Sequence, residues 1–188
     1  METQFDIDKI LKQGEIKNEL DLERAQIARR KLRVLSKEDE KFKSQWKKLG
    51  KLIRDYENLN WSSSSRITEK KIRESDLAEA IAENERVFIQ NRKKLIRSKL
   101  KKFGLNQQEL GTLLGHRSKS YMSELVNGIV PFTLKDLIII NRLLKIELTD
   151  LVPTFLPHSE RVKIRGKIEK MENPKIKLSN GDFALVAG

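Results

Sequence analysis

LNQQELGTLLGHRSKSYMSELVNG, residues 105–128, carries the punctuation of two short helices and the turn between them. Asn106 precedes Gln107, and Glu109 follows three residues on. This is a capping box, in which the Asn side chain takes an orphan backbone N–H and the Glu carboxylate returns to the cap. Leu110, Leu113 and Leu114 are buried-side candidates, and Gly115 is expected to end the helix after barely two turns. The second helix is expected from about Ser118 to Val126, with Met122, Leu125 and Val126 turned inward at helical spacing. Asn127-Gly128 closes it with residues that tolerate positive φ. Its outer positions are polar: Lys119, three serines, Tyr121 and Glu124.

The flanks extend the helical pattern. Downstream, Thr133 with Asp136 begins another helix carrying Leu134, Leu137, Ile138 and Leu144, and Thr149 is expected to cap a last short one. Upstream, Ser75 is the expected N-cap of a long helix, acidic at its start and basic at its end in accord with the helix dipole, that stops at Gly104. Its end, NRKKLIRSKLKKF, has Arg92, Lys93, Lys94, Arg97, Lys99, Lys101 and Lys102 and no acid. Leu95, Ile96 and Leu100 keep an apolar stripe there. A one-signed block of this kind suits a helix lying beside phosphates.

Nearer the N-terminus, residues 16–35 form a helix candidate with an irregular apolar face. Ser36 opens SKED, a cap pattern, and Phe42, Trp46, Leu49, Ile53 and Tyr56 follow at helical spacing, giving an antiparallel hairpin across Ser36. ENLNWSSSSR, residues 57–66, breaks the pattern with Asn and four consecutive Ser, so a boundary is expected there. At the other end Ser159 is expected to cap a basic helix weakened by Gly166. Two alternating runs around Asn180-Gly181 predict a β-hairpin pairing Leu178 with Phe183 and Ile176 with Leu185. The expected fold is therefore mostly α: a helical domain over 1–66, a second helical domain over 67–156, and a small helix and β-hairpin over 157–188.

Composition narrows the function. The chain of 188 residues has no Cys and two histidines, His116 and His158, so thiol chemistry and a His-based metal site or catalytic relay find no ligand set. No enzyme activity, metal or cofactor is expected. The start METQFDIDKI is acidic where a signal peptide would be basic, and no apolar run of about 18 residues occurs, so a cytoplasmic location away from membranes is expected. Lys and Arg number 39 against 27 Asp and Glu, a net charge of +12, which points to a polyanionic partner.

A short helix, a glycine turn and a second short helix with a polar outside match the helix-turn-helix arrangement, whose second helix enters the major groove of double-stranded DNA. In that frame Arg117 and Lys119 supply phosphate or guanine contacts, and Ser118 and Ser120 donate to phosphates near the helix N-terminus. Tyr121, Ser123 and Glu124 fall where base edges come within reach, Asn127 closes the set, and Gln107 sits over the backbone.

With those residues in place, Leu105 to Val152 resembles the five-helix domain of Cro and lambda-repressor-type (XRE family) regulators. Gln107, Leu110, Gly115, Tyr121, Ser123, Asn127 and Gly128 stand in matching places. His116-Arg117-Ser118 puts an extra residue in the turn relative to that pattern, which leaves the register of the second helix open by one position. The layout as a whole, with IKNELDLERA, a helical hairpin and a linker before this domain, is similar to HigA-type antitoxins. That resemblance implies a homodimeric repressor on a palindromic operator, with the N-terminal part holding a RelE-like (HigB-like) ribonuclease toxin. A free-standing regulator without a toxin, or a basic module for RNA or protein partners, are the alternatives.

Overall fold

Short polar side chains decide where most of the helices begin, and several choose differently from expectation. The computed structural model describes residues 5–37, 39–63, 67–153, 156, 158–173 and 175–176. These are mostly helical, and no strand occurs among them. Asp6 caps a first helix that the sequence pattern did not announce, α1 (Ile7–Gln13), by accepting from the N–H groups of Asp8 and Lys9. Asn18 caps α2 (Glu19–Leu35) by accepting from the Asp21 N–H at 2.9 Å, so Ile16 lies ahead of the helix. Asp39, not Ser36, caps α3 (Glu40–Trp61); its carboxylate takes the Lys41 N–H at 2.8 Å. Ser36 instead completes the end of α2, its N–H donating to the Leu32 carbonyl.

α4 (Glu69–Lys102) starts at Thr68, a full turn and more before the expected Ser75. Glu69, Lys70, Arg73 and Glu74 pair at i,i+4, Arg73 with Glu69 at 3.3 Å, and carry the helix through Ser75. The next two boundaries follow the capping boxes as read. These are Asn106 with Glu109 for α5 (Gln107–Leu114) and Thr133 with Asp136 for α7 (Leu134–Leu144). Between them α6 (Lys119–Asn127) is capped by Ser118. α8 (Leu148–Leu151) starts behind Glu147 without a side-chain cap, so Thr149 is inside the turn it was expected to open.

The chain divides into two compact units, Met1–Pro153 and Thr154–Gly188. The boundary expected near residue 66 therefore falls inside the first unit, where it is the connection from α3 to α4. In that unit α2 packs on both α3 and α4. The α3 stripe is as expected: Phe42, Leu49 and Ile53 are buried in one cluster with Leu22, Ala25, Ala28 and Leu32 of α2, and Trp46 and Tyr56 pack against its edge. Each fully buried Leu or Phe contributes about 1.5–3 kcal/mol relative to exposure. Toward α4, a buried Arg24 guanidinium forks onto the Glu85 carboxylate, Nε donating to Oε2 at 2.7 Å and Nη2 donating to Oε1.

The same cluster continues into the rest of the unit, where Ile96 and Leu100 of α4 join Leu110, Leu114, Met122, Leu125, Ile140 and Leu144. α4 is thus one rod shared by both groups of helices. Arg92, first of the basic block, does not face solvent: it is 2% exposed, lies over the rings of Phe88 and Phe132, and donates from Nη1 to the Leu151 carbonyl at 3.0 Å. α1 reaches the far end of the unit, where the backbone N–H of fully buried Ile7 donates to the Ile129 carbonyl at 3.1 Å.

The second unit contains α9 (His158–Met171), which begins one residue before the expected cap Ser159 and runs through Gly166. It carries surface pairs of Lys163 with Glu160 and Arg165 with Glu169. The expected β-hairpin, with its turn at residues 180–181, lies outside the described residues.

Candidate nucleic-acid interface

α5 and α6 meet because Gly111 has no side chain. A Cβ there would stand 2.7 Å from Cγ of Met122, so α6 lies against α5 more closely than any other residue would allow. Gly115, with φ of 84°, turns the chain out of α5, and the His116 N–H bonds back to the Gly111 carbonyl. Residues 115–118 lie outside α6, and Met122, Leu125 and Val126 point inward as read.

The candidate residues then divide by position. Arg117, Ser118 and Lys119 are exposed at the start of α6. Ser118 Oγ accepts from the Tyr121 N–H at 3.1 Å as the cap. Gln107 is half-buried as the first residue of α5. Tyr121 is half-buried with its ring edge-on to His116 at 5.1 Å, and burial together with the Asp136 carboxylate holds its phenol above the usual tyrosine range. His116 Nε2 in turn lies 3.0 Å from Asp136 Oδ1. Ser120 donates its hydroxyl proton to the Asp39 carboxylate at the start of α3, which holds that acid below the usual range. Ser123 Oγ accepts from Asn127 Nδ2 at 3.3 Å.

Glu124 is not where the sequence put it. Expected to reach base edges, it is 0% exposed, with Oε2 accepting from Lys41 Nζ and Oε1 from Gln45 Nε2, each at 2.8 Å. The physical reason is α3, whose first turns lie over the C-terminal half of the α6 outer face. Nothing within α6 signals this, because both partners come from a different part of the chain.

Asn127 ties the other side. Its backbone carbonyl accepts from Lys31 Nζ of α2 at 2.8 Å, and its Oδ1 accepts from Lys93 Nζ of α4 at 2.6 Å. Lys31, Lys93, Arg97 and Lys119 line a cleft of about 450 Å³ together with Gln107, Ser120 and Ser123. Burial pushes the Lys31 ammonium down to about 8, and the like charges of Lys93, Arg86 and Arg92 push the same way. Lys93 and Arg97 belong to the basic block recognised in the sequence. Lys31 was missed, since on α2 it is one cation in a run of Arg29, Arg30, Lys31 and Arg33 and only the fold distinguishes it.

Among the described residues no three His, Asp or Glu side chains gather as a metal site, and no helix is long and apolar enough to cross a membrane. Comparison with family models, with curated proteins and with solved structures returns no match to this chain.

Proposed function

We propose that this protein is a sequence-specific DNA-binding regulator of the helix-turn-helix type, with α6 as its recognition helix. The observation that carries the proposal is the exposed trio Arg117, Ser118 and Lys119 at the N-terminus of α6, beside a cleft lined by cations. In helix-turn-helix proteins it is the N-terminal residues of the recognition helix that meet base edges. Those positions are open here, while Ser120 beside them and Glu124 one turn on are held by α3. The footprint on DNA is accordingly short. Lys119 and Arg117 approach guanine or phosphate, Ser118 adds a hydroxyl at the positive helix end, and Gln107 positions the unit. The net charge of +12 supports the long-range attraction that such binding uses.

The resemblance to HigA-type antitoxins adds a homodimer on a palindrome, half-sites about 34 Å apart, and a basic ribonuclease-like toxin as partner. The test is a mobility shift on duplex DNA from upstream of the protein's own gene, titrated with salt and random competitor. Retention under competitor, with Lys119→Ala weakening binding about tenfold, is the expected result; one good base contact is worth about 1–3 kcal/mol. Loss of binding at modest salt, or an unchanged Lys119→Ala, refutes it. Co-expression with the product of an adjacent small gene decides the toxin.

A further inference from the structure

The cleft between α2, α4 and α6 concentrates like charge in a concave space. Four cations, Lys31, Lys93, Arg97 and Lys119, line it against one carboxylate, Asp39, which is already engaged by the Ser120 hydroxyl and the Lys41 N–H. Lys31 meets only a neutral carbonyl, that of Asn127, and every group that perturbs its charge disfavours it. Arg97 and Lys119 make no ion pair among the described residues. Ser123 Oγ accepts from Asn127 Nδ2, which leaves its own proton to donate. The charges of Lys31, Arg97 and Lys119, facing a cavity without an acid partner among the described residues, are costly to hold and mark a place for an anion. The volume of about 450 Å³ is within the range of small-molecule sites, roughly 300–1,000 Å³. Several cations around one hydroxyl donor fit a group carrying more than a single negative charge.

We propose that this cleft binds a phosphate-bearing ligand, with Lys31, Lys93, Arg97 and Lys119 supplying the charge and Ser123 a neutral donor. The phosphate comes either from a free phosphoanion of nucleotide size or from a DNA backbone. Because the cleft joins α2 to α6, an occupant also ties the N-terminal helices to the helix proposed to read DNA. By linkage, an occupant that favours this arrangement alters DNA affinity, and DNA alters its own.

The test is isothermal titration of the full chain with inorganic pyrophosphate near pH 8 at fixed ionic strength, in two buffers of different ionisation enthalpy. The expected result is saturable one-to-one binding with proton uptake, because an anion beside Lys31 favours its charged form. Arg97→Gln, an exposed change that leaves the core intact, is expected to weaken binding about tenfold, the scale of one lost charge-assisted contact. Lys31→Met should abolish the proton uptake. A parallel titration with a labelled random-sequence duplex identifies the source of the phosphate. Duplex binding that weakens in Arg97→Gln, without pyrophosphate binding, supports the site and assigns it to the DNA backbone. If neither ligand senses Arg97→Gln and Lys31→Met, or chloride at equal ionic strength reproduces the heat, the proposal is overturned. The pyrophosphate arm contains no DNA, so its failure is separate from failure of the proposed DNA function.

Discussion

Glu124 offers the sharpest perturbation, because its two possible settings predict different stabilities. On an open DNA-facing surface, Glu124→Leu would change stability by no more than about 0.5 kcal/mol. In the structure the carboxylate is 0% exposed and shared between Lys41, whose side chain is 45% exposed, and buried Gln45. Glu124→Leu lets the half-exposed Lys41 ammonium return to water at little cost, but strands the Gln45 amide. A buried unsatisfied donor costs about 1–3 kcal/mol, so that is the expected loss. Gln45→Leu alone takes one of two hydrogen bonds from a buried carboxylate, worth about 1.5–3 kcal/mol for a charged acceptor. In Gln45→Leu/Glu124→Leu neither penalty survives, since apolar side chains of similar volume replace a polar contact. The double variant should therefore be less destabilised than the sum of the singles, with a coupling of about 1–3 kcal/mol. Urea denaturation followed by far-UV circular dichroism measures all four proteins. Additivity within about 0.5 kcal/mol, or a single Glu124→Leu inside that margin, would refute the contact between α3 and α6.

Two further outcomes follow from the same unit. The Lys31 ammonium titrates near 8 in the folded chain against an ordinary 10.5, so the unfolded chain binds more protons between those values and stability rises with pH across that window. Below about 8 both states are protonated and the penalty is fully present; Lys31→Met should remove the rise in urea midpoints measured from neutral pH upward. The glycines after α5 and α6 are not equivalent. At Gly115 a Cβ meets nothing within 4 Å, so Gly115→Ala pays only for positive φ, about 1–2 kcal/mol. At Gly128 the Cβ would also stand 2.7 Å from Ile89, adding about 1–3 kcal/mol of overpacking. Thermal melts in which Gly115→Ala is the more damaging change would refute this ordering.

What the sequence disclosed was local. Asn106 with Glu109 and Thr133 with Asp136 are complete within four residues, and both capping boxes form as read. The α3 stripe and the inward set of α6 were legible because helical period alone decides which residues share a face. Ser36 and Ser75 misled for a common reason. Each is a chemically adequate cap, but a competing cap or continuing i,i+4 pairs placed the boundary elsewhere, as Thr68 did with Glu69 and Arg73 behind it. The candidate interface was legible only at its exposed end, Arg117 to Lys119. The burial of Glu124 and the gathering of Lys31 with Lys93 depend on α2 and α3 returning to α6, and neither periodicity nor spacing records such a return.

The hydrogen bond from Ile7 to Ile129 sets the order in which this chain can finish folding. Translation delivers the N-terminus first, yet the carbonyl that satisfies Ile7 emerges only after α6 has been made. Until then α1, with Ile7 and Ile10 buried, has α3 to pack on but no partner for the Ile7 N–H. The seating of α1 is thus completed by a segment more than a hundred residues farther along the chain. A nascent chain halted before residue 129 would leave the Ile7 N–H without that carbonyl.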